Sequence, residues 1–480
     1  MGELSDFARI VLFASAGLLA AILSYPVAER LRIPAPVLFL AAAAVASDLI
    51  GDLEGLLTPV EVGEIGTVAL IVILFEGGMQ VGWGRFRASI WPIGILGVPG
   101  TLATGAIVAV GAHLMLDLDW TTAAIIGAAL APTDPAVMFS VLGNREVGGR
   151  SGTILQGESG ANDPVAIALI IGLLDFATDK GSGLAVTERF LLEMGVGLAV
   201  GVVGARLLAW TARRVPLAGG SFYPLRLLAA AGVVFGVATA LHGSGFLAVF
   251  VAGVLLGDER FPYKGETRGF LAPAAGLAEI TVFVALGLTV DLGSFPSRTW
   301  VDGAVIAVLV VLIARPLVVA VLLGRSDLTR AERLFISWAG MKGAVPILLG
   351  SFAVIAAVDH SLLIYDVVFV VVTVTVLVQG LLLSPVASRL GIPMETREAK
   401  PWSVAVVGGS YTVAPASPAT GVALRDLPLG GDGWVSEIRR NGSTVPARGA
   451  QRLQAGDEVI VIFADEQRDD VRALFTGERA

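Results

Sequence analysis

The chain contains no cysteine. Disulfides, thiol nucleophiles and thiolate-held metals are excluded with it. Histidine is nearly as scarce: His113, His242 and His360 are the only three in 480 residues, too few for a multi-histidine metal centre. Charged residues make up 15%, against about 25% in a soluble domain. Apolar residues fill the gap at 55%, with a mean hydropathy of +0.80. That composition belongs to a membrane protein, where 59 glycines and 23 prolines are tolerated. The net charge of −8 identifies no partner, because in a membrane protein the position of charge outweighs its sum, and nucleic acid is not expected. The N-terminus, MGELSDFARIV, lacks the basic region and cleavage site of a signal peptide and reads as the first span.

Stretches of about 17–25 apolar residues cross a bilayer. Thirteen are expected, near 7–26, 36–50, 61–79, 90–114, 120–142, 151–175, 189–212, 225–242, 244–257, 270–290, 300–323, 333–357 and 362–388. The connections check this count. Odd ones carry fifteen Lys and Arg (Arg30 and Arg32 in the first, Arg325, Arg330 and Arg333 in the eleventh); even ones carry three, Lys180, Arg189 and Arg298. Cytoplasmic loops are the basic ones, so the N-terminus is expected outside and the C-terminus inside. Residues 1–390 then form the membrane portion and 391–401 a linker. Residues 402–480 alternate short apolar strands with turns, including a hairpin at Asn441-Gly442, and end in an amphipathic helix. They read as a small cytoplasmic α/β domain.

Polar residues inside these spans carry the chemistry. An ionised side chain at mid-membrane depth costs about 2.5–3.5 kcal/mol even on the lenient scale, so it is kept for a use. The fifth span holds APTDPAV, where Pro132 and Pro135 each remove a backbone donor; the twelfth holds AGMKGAVP, with Gly340, Gly343 and Pro346 around Lys342. Both breaks fall fifth in a six-span half, with the seventh span as connector. Paired broken helices in inverted halves point to a transport site between them. Asp134 lies at the first break, and GESGANDP places Glu158, Ser159, Asn162 and Asp163 in the next span. At 100° per residue, Glu158 and Asn162 share a face while Asp163 points about 140° away from Glu158. Arg315, deep in LIARPLVV, needs a buried partner, and Glu158 is the candidate. Asp163 and Asp134, with Thr133, Ser159 and freed carbonyls, are left to form an oxygen-lined site for a monovalent cation or a proton.

Blander readings exist for several of these. Asp134 could cap a half-helix, Lys342 could snorkel from a helix end, Glu76 could sit at a solvated edge, and His242 could mark an outer helix end. Gly157-Glu158-Ser159-Gly160 also allows an intramembrane serine hydrolase with Ser159 as nucleophile and His242 as base. A ligand-gated potassium channel is the third reading, although no TVGYG-like filter is present.

The run PTDP, ESGANDP, LIARP and GMKGAVP, in that order, resembles the monovalent cation:proton antiporter family over roughly residues 7–390. The resemblance implies an all-α polytopic protein with inverted repeats and two crossed, unwound helices. It also implies a homodimer embedded in membrane lipid, in a bacterial or archaeal plasma membrane, working by elevator-like alternating access. By resemblance, Asp163 is the main cation- and proton-binding carboxylate, with Asp134, Thr133, Ser159 and Asn162 beside it. Glu158–Arg315 is the structural ion pair, and Lys342 and Glu76 are accessory. Asn162 before Asp163 looks like the electroneutral type. Pro164 and Lys342 look more like the potassium/proton group than the sodium/proton group. The tail is similar to TrkA-C (RCK-C) domains, which can bind regulatory ligands such as nucleotides. Beyond transported K+ or Na+ and H+, no cofactor is expected.

Overall fold

The protein is described by a computed structural model covering residues 2–31, 34–49, 56–142, 145–178, 183–217, 219–259, 261–396, 406–429, 433–440, 442–447, 449–464 and 467–477. Arg32, Lys180, Arg260, Asn441 and linker positions 397–401 lie outside the described residues. Two compact units divide at Glu395 and Thr396.

The first unit is built from α1 (Gly2–Leu31), α2 (Ala35–Leu49), α3 (Pro59–Ala88), α4 (Ile90–Ile95), α5 (Thr101–Leu116), α6 (Trp120–Ala129), α7 (Pro135–Leu142), α8 (Gly149–Ala177), α9 (Gly183–Arg214), α10 (Phe222–Ala240), α11 (Gly245–Gly257), α12 (Lys264–Leu288), α13 (Ser297–Leu309), α14 (Arg315–Leu322), α15 (Arg330–Ala339), α16 (Ala344–Ile355) and α17 (Ser361–Leu390). Two short strands, β1 (Arg145–Val147) and β2 (Met394–Thr396), precede α8 and follow α17. A π turn, Leu96–Gly100, joins α4 to α5, and another, Val310–Ala314, joins α13 to α14. Capping boxes start α3 (Thr58 with Glu61) and α15 (Thr329 with Glu332), satisfying donors that no helical turn can reach.

Among the described residues, eight helices are long and apolar enough to cross a membrane, or nine if α15 and α16 count as one span bent by 43°. The expected thirteen are not reached on length and composition. The remaining expected crossings fall on shorter apolar helices: Ser15–Ala28, Ala35–Leu49, Trp120–Ala129 and Gly245–Gly257. Span five falls short because its prolines divide it into α6 and α7.

The densest packing falls in two sets of helices, which also touch each other through α3 on α8 and α16 and through α8 on α9. α3 lies chiefly on α11 and α12, α2 on α12, and α9 and α10 on α11; α5 pairs with α6, α13 and α16 with α17, and α6 with α8. Glycine sets the crossing of α3 with α11. A Cβ at Gly78 would lie 2.6 Å from the Phe250 carbonyl oxygen, and one at Gly257 would lie 2.7 Å from the Gly82 Cα. Gly78-xxx-Gly82 on α3 thus meets Gly253-xxx-Gly257 on α11 backbone to backbone, the small-residue packing that membrane helices use in place of hydrophobic drive. At Gly82 (φ +67°) α3 also kinks.

The second unit is an antiparallel sheet ordered β3-β6-β4-β5, from β3 (Val406–Thr412), β4 (Trp434–Arg440), β5 (Ser443–Val445) and β6 (Glu458–Ala464), with α18 (Arg468–Thr476). Arg440 pairs with Ser443, so β4 and β5 form a hairpin whose turn includes Gly442 at φ +78°. Ile438, Val459, Val461, Phe463 and Phe475 fill its core.

Candidate functional site

α6 stops at Ala129 and α7 resumes at Pro135; α15 stops at Ala339 and α16 resumes at Ala344. The two breaks meet. The Asp134 amide donates to the Met341 carbonyl at 2.8 Å. The Lys342 ammonium donates to the Ala131 and Pro132 carbonyls at 3.1 and 2.9 Å. Lys342 is 1% exposed, so it does not snorkel to an interface. Its charge answers the Ala131 carbonyl, whose helical donor position is taken by Pro135, and the Pro132 carbonyl within the break. The fit is close enough that a Cβ on Gly343 would overlap the Asp134 carboxylate.

α8 runs beside this crossing. Both oxygens of Glu158 are taken by Arg315, at 2.5 Å to Nη1 and 2.8 Å to Nη2. Arg315 also reaches the Ile336 carbonyl at 3.4 Å. The arginine follows directly on the second π turn, and glycine at 340 leaves it room, since a Cβ there would lie 2.5 Å from Nε. Both partners are nearly sealed, so each would be an uncompensated buried charge without the other. One turn on, the Asn162 amide donates to Thr133 Oγ1 at 2.8 Å and ties α8 to the first break. Asp163 is buried on a different face. Its Oδ1 has no hydrogen-bond partner.

Asp163 and Ser159 border a cavity of about 100 Å³, counted as space open to water centres. At roughly 10–15 Å³ per water, it has room for several. Asp134 and Glu76 are on its wall too. Thr133 and Asn162 are not, so their place is in the brace behind it. Pro164 offers no backbone N–H to the carbonyl of Gly160, another residue of the cavity wall. Three polar residues on the wall escaped the sequence reading: Gln80, Gln156 and Glu279. Glu279 carried a readable signal, a lone carboxylate within the apolar run LAEITVFVALGL. Among the described residues, no three His, Asp or Glu are gathered closely enough to hold a metal ion.

Residues 17–389 match the transmembrane sodium/hydrogen exchanger family. The chain belongs to that family. Residues 410–476 match the TrkA-C domain. The exchanger is 31% identical over 425 residues to the K(+)/H(+) antiporter NhaP of Alkalimonas amylolytica, covering 86% of this chain and 74% of the relative. It is 29% identical over 479 residues to the K(+)/H(+) antiporter NhaP2 of Shewanella oneidensis, covering 95% and 81%. In fold it is similar to the sodium proton antiporter MjNhaP1 of Methanocaldococcus jannaschii, with a TM-score of 0.68 at 20% identity over 78% of this chain and 99% of that one. This exchanger is a multi-pass cation/proton antiporter and not an enzyme; the hydrolase and channel readings are not favoured.

Proposed function

We propose that this antiporter exchanges K+ for H+, one for one, with both competing for Asp163. The carrying observation is the Asp163 Oδ1: buried, without a donor, on the wall of a cavity large enough for water, beside two broken helices. A carboxylate oxygen left this way is satisfied by a proton or by a cation, and one carboxylate cannot hold both. Ser159 and Asp134 stand by as further oxygens on the wall, while Thr133 and Asn162 hold the break against α8. Glu158 is neutralised by Arg315, and Lys342 is occupied by two carbonyls, which leaves the cavity to the acids.

Potassium is favoured over sodium because NDP and GMKGAVP look like the potassium/proton group and because the NhaP and NhaP2 relatives carry that name. A less similar relative, 27% identical over 335 residues, is the Na(+)/H(+) antiporter ApNhaP of Aphanothece halophytica. The wider arrangement is thirteen crossings, with the shorter apolar helices completing the eight or nine long ones. The first unit ends near residue 390, residues 391–401 link it, and residues 402–480 lie in the cytoplasm, where the TrkA-C domain takes a regulatory ligand. The protein works as a homodimer in the plasma membrane. Alternating access is an elevator-like slide of α4–α8 with α13–α17 against α1–α3 with α10–α12; the division of packing into two groups supports it.

Proteoliposomes bearing a pH gradient test this. K+ should collapse the gradient more effectively than Na+ or Li+, and Asp163→Ala or Asp163→Asn should abolish the effect. Proton flux persisting in either variant would remove Asp163 from the mechanism. Equal or better flux with Na+ would leave exchange intact and move its cargo to sodium.

A further inference from the structure

α12 brings to the cavity a carboxylate that the exchange described above does not use. Glu279 lines the same wall as Asp163, but it comes from the other group of helices, on the segment packed against α3 and α2. One of its oxygens, Oε1, is sealed from solvent and makes no hydrogen bond. A carboxylate kept for structure looks different, and Glu158 supplies the comparison within the same protein: both of its oxygens are taken by Arg315. Glu279 instead shares the condition of Asp163, an acid with one oxygen held open beside a water-sized space. An uncompensated buried acceptor costs about 1–3 kcal/mol, so an oxygen left in this way beside a water-sized space is open to something that arrives.

Among the described residues no three acids are grouped to grip one ion together, and Glu279 reaches the cavity from α12 while Asp163 reaches it from α8. We propose that Glu279 is a second cation station of the transport cavity, holding K+ by a carboxylate oxygen and cavity water before the ion passes to Asp163. This rests on the K+/H+ reading above. The station stands on the opposite helix group from Asp163, so it collects the cation while Asp163 still holds its proton, and raises the local K+ concentration at the site of exchange.

Ion-driven proton flux in proteoliposomes tests the kinetic consequence. Glu279→Gln should raise the K+ concentration for half-maximal flux about tenfold while leaving maximal flux within about twofold, the pattern of lost binding without lost turnover. Glu279→Asp, which keeps the charge, should return most of the affinity. An unchanged half-maximal concentration, or a fall in maximal flux alone, would overturn the station. A chemical readout needs no variant at this position. Modification of Glu279 by dicyclohexylcarbodiimide, read by peptide mass, should be slowed by K+ in the wild-type protein and equally in Asp163→Asn. Protection that is absent in both proteins, or that vanishes with Asp163, also overturns it. Failure of the exchange reading is recognised separately, as no proton flux in the wild type with any cation.

Discussion

At the scale of single residues, the site depends on space as much as charge. Gly343 does not have a left-handed φ, and what bars a side chain there is the carboxylate of Asp134. Gly343→Ala should therefore push that carboxylate away without disturbing Glu158–Arg315. The K+ concentration for half-maximal flux should rise about tenfold, equal to about 1.4 kcal/mol of binding, and the protein should still reach the membrane. Unaltered kinetics would mean that Asp134 moves aside freely and that its position does not matter. Sequence could supply residues whose chemistry allows one remedy: a buried arginine needs a carboxylate, and helical spacing put Glu158 on the right span. It could not supply neighbours contributed by a different group of helices. Gln80 and Glu279 become part of the site only when α3 packs on α8 and α12 packs on α3 and α16, whereas Gln156 sits on α8 itself and was passed over because an uncharged amide gives a weaker signal. Asn162 shows another limit: its Nδ2 is given to Thr133 while its Oδ1 is buried without a partner, and residue type alone does not say which of the two atoms matters.

At the scale of elements, the breaks were readable because proline and glycine interrupt helices for stated reasons, and α6–α7 and α15–α16 divide at those residues. The π turns at Leu96–Gly100 and Val310–Ala314 were not, because one extra residue per turn leaves no mark on hydrophobic pattern. Nor was length a guide for α2 and α11, which are shorter than a typical span. The proposed slide of the two groups has a direct test where α3 meets α8. There the Gln156 amide donates to the Gln80 carbonyl oxygen at 2.6 Å, a polar tie between helices assigned to different groups. The chain has no cysteine, so Gln80→Cys with Gln156→Cys gives the only two thiols present. A short bifunctional thiol reagent joining them should reduce exchange to below about a tenth, and cleaving the reagent should restore it, since an elevator cannot run with its two groups pinned. Exchange continuing at full rate in the linked protein would show that α3 and α8 move as one.

At the scale of the molecule, the two units answer to different solvents and were legible by different signals. Apolar length and loop charge marked the first. Alternation and a hairpin turn marked the second, where β4 and β5 meet around Gly442. Inside that second unit one contact links its strands to pH. Asp457, at the start of β6 and 1% exposed, accepts from Arg440 Nε and Nη2 at 2.7 and 2.8 Å and from the Gln454 amide at 2.8 Å. The hydrogen bonds from Arg440 come first in holding the Asp457 carboxyl below its ordinary value of 3.8. A depressed carboxylate contributes stability that is fully present above its unfolded value and is lost as pH falls through its folded one. Asp457→Asn should therefore loosen the sheet by about 1–3 kcal/mol at neutral pH, seen as faster amide hydrogen exchange along β4 and β6 in the full-length protein. Corrected for intrinsic exchange rates, the gap between variant and wild type should stay constant from neutral pH down to about 5 and close below about 4 as the wild-type carboxyl takes up its proton. A gap as wide at strongly acidic pH as at neutral pH would assign the effect to packing of the side chain rather than to its charge.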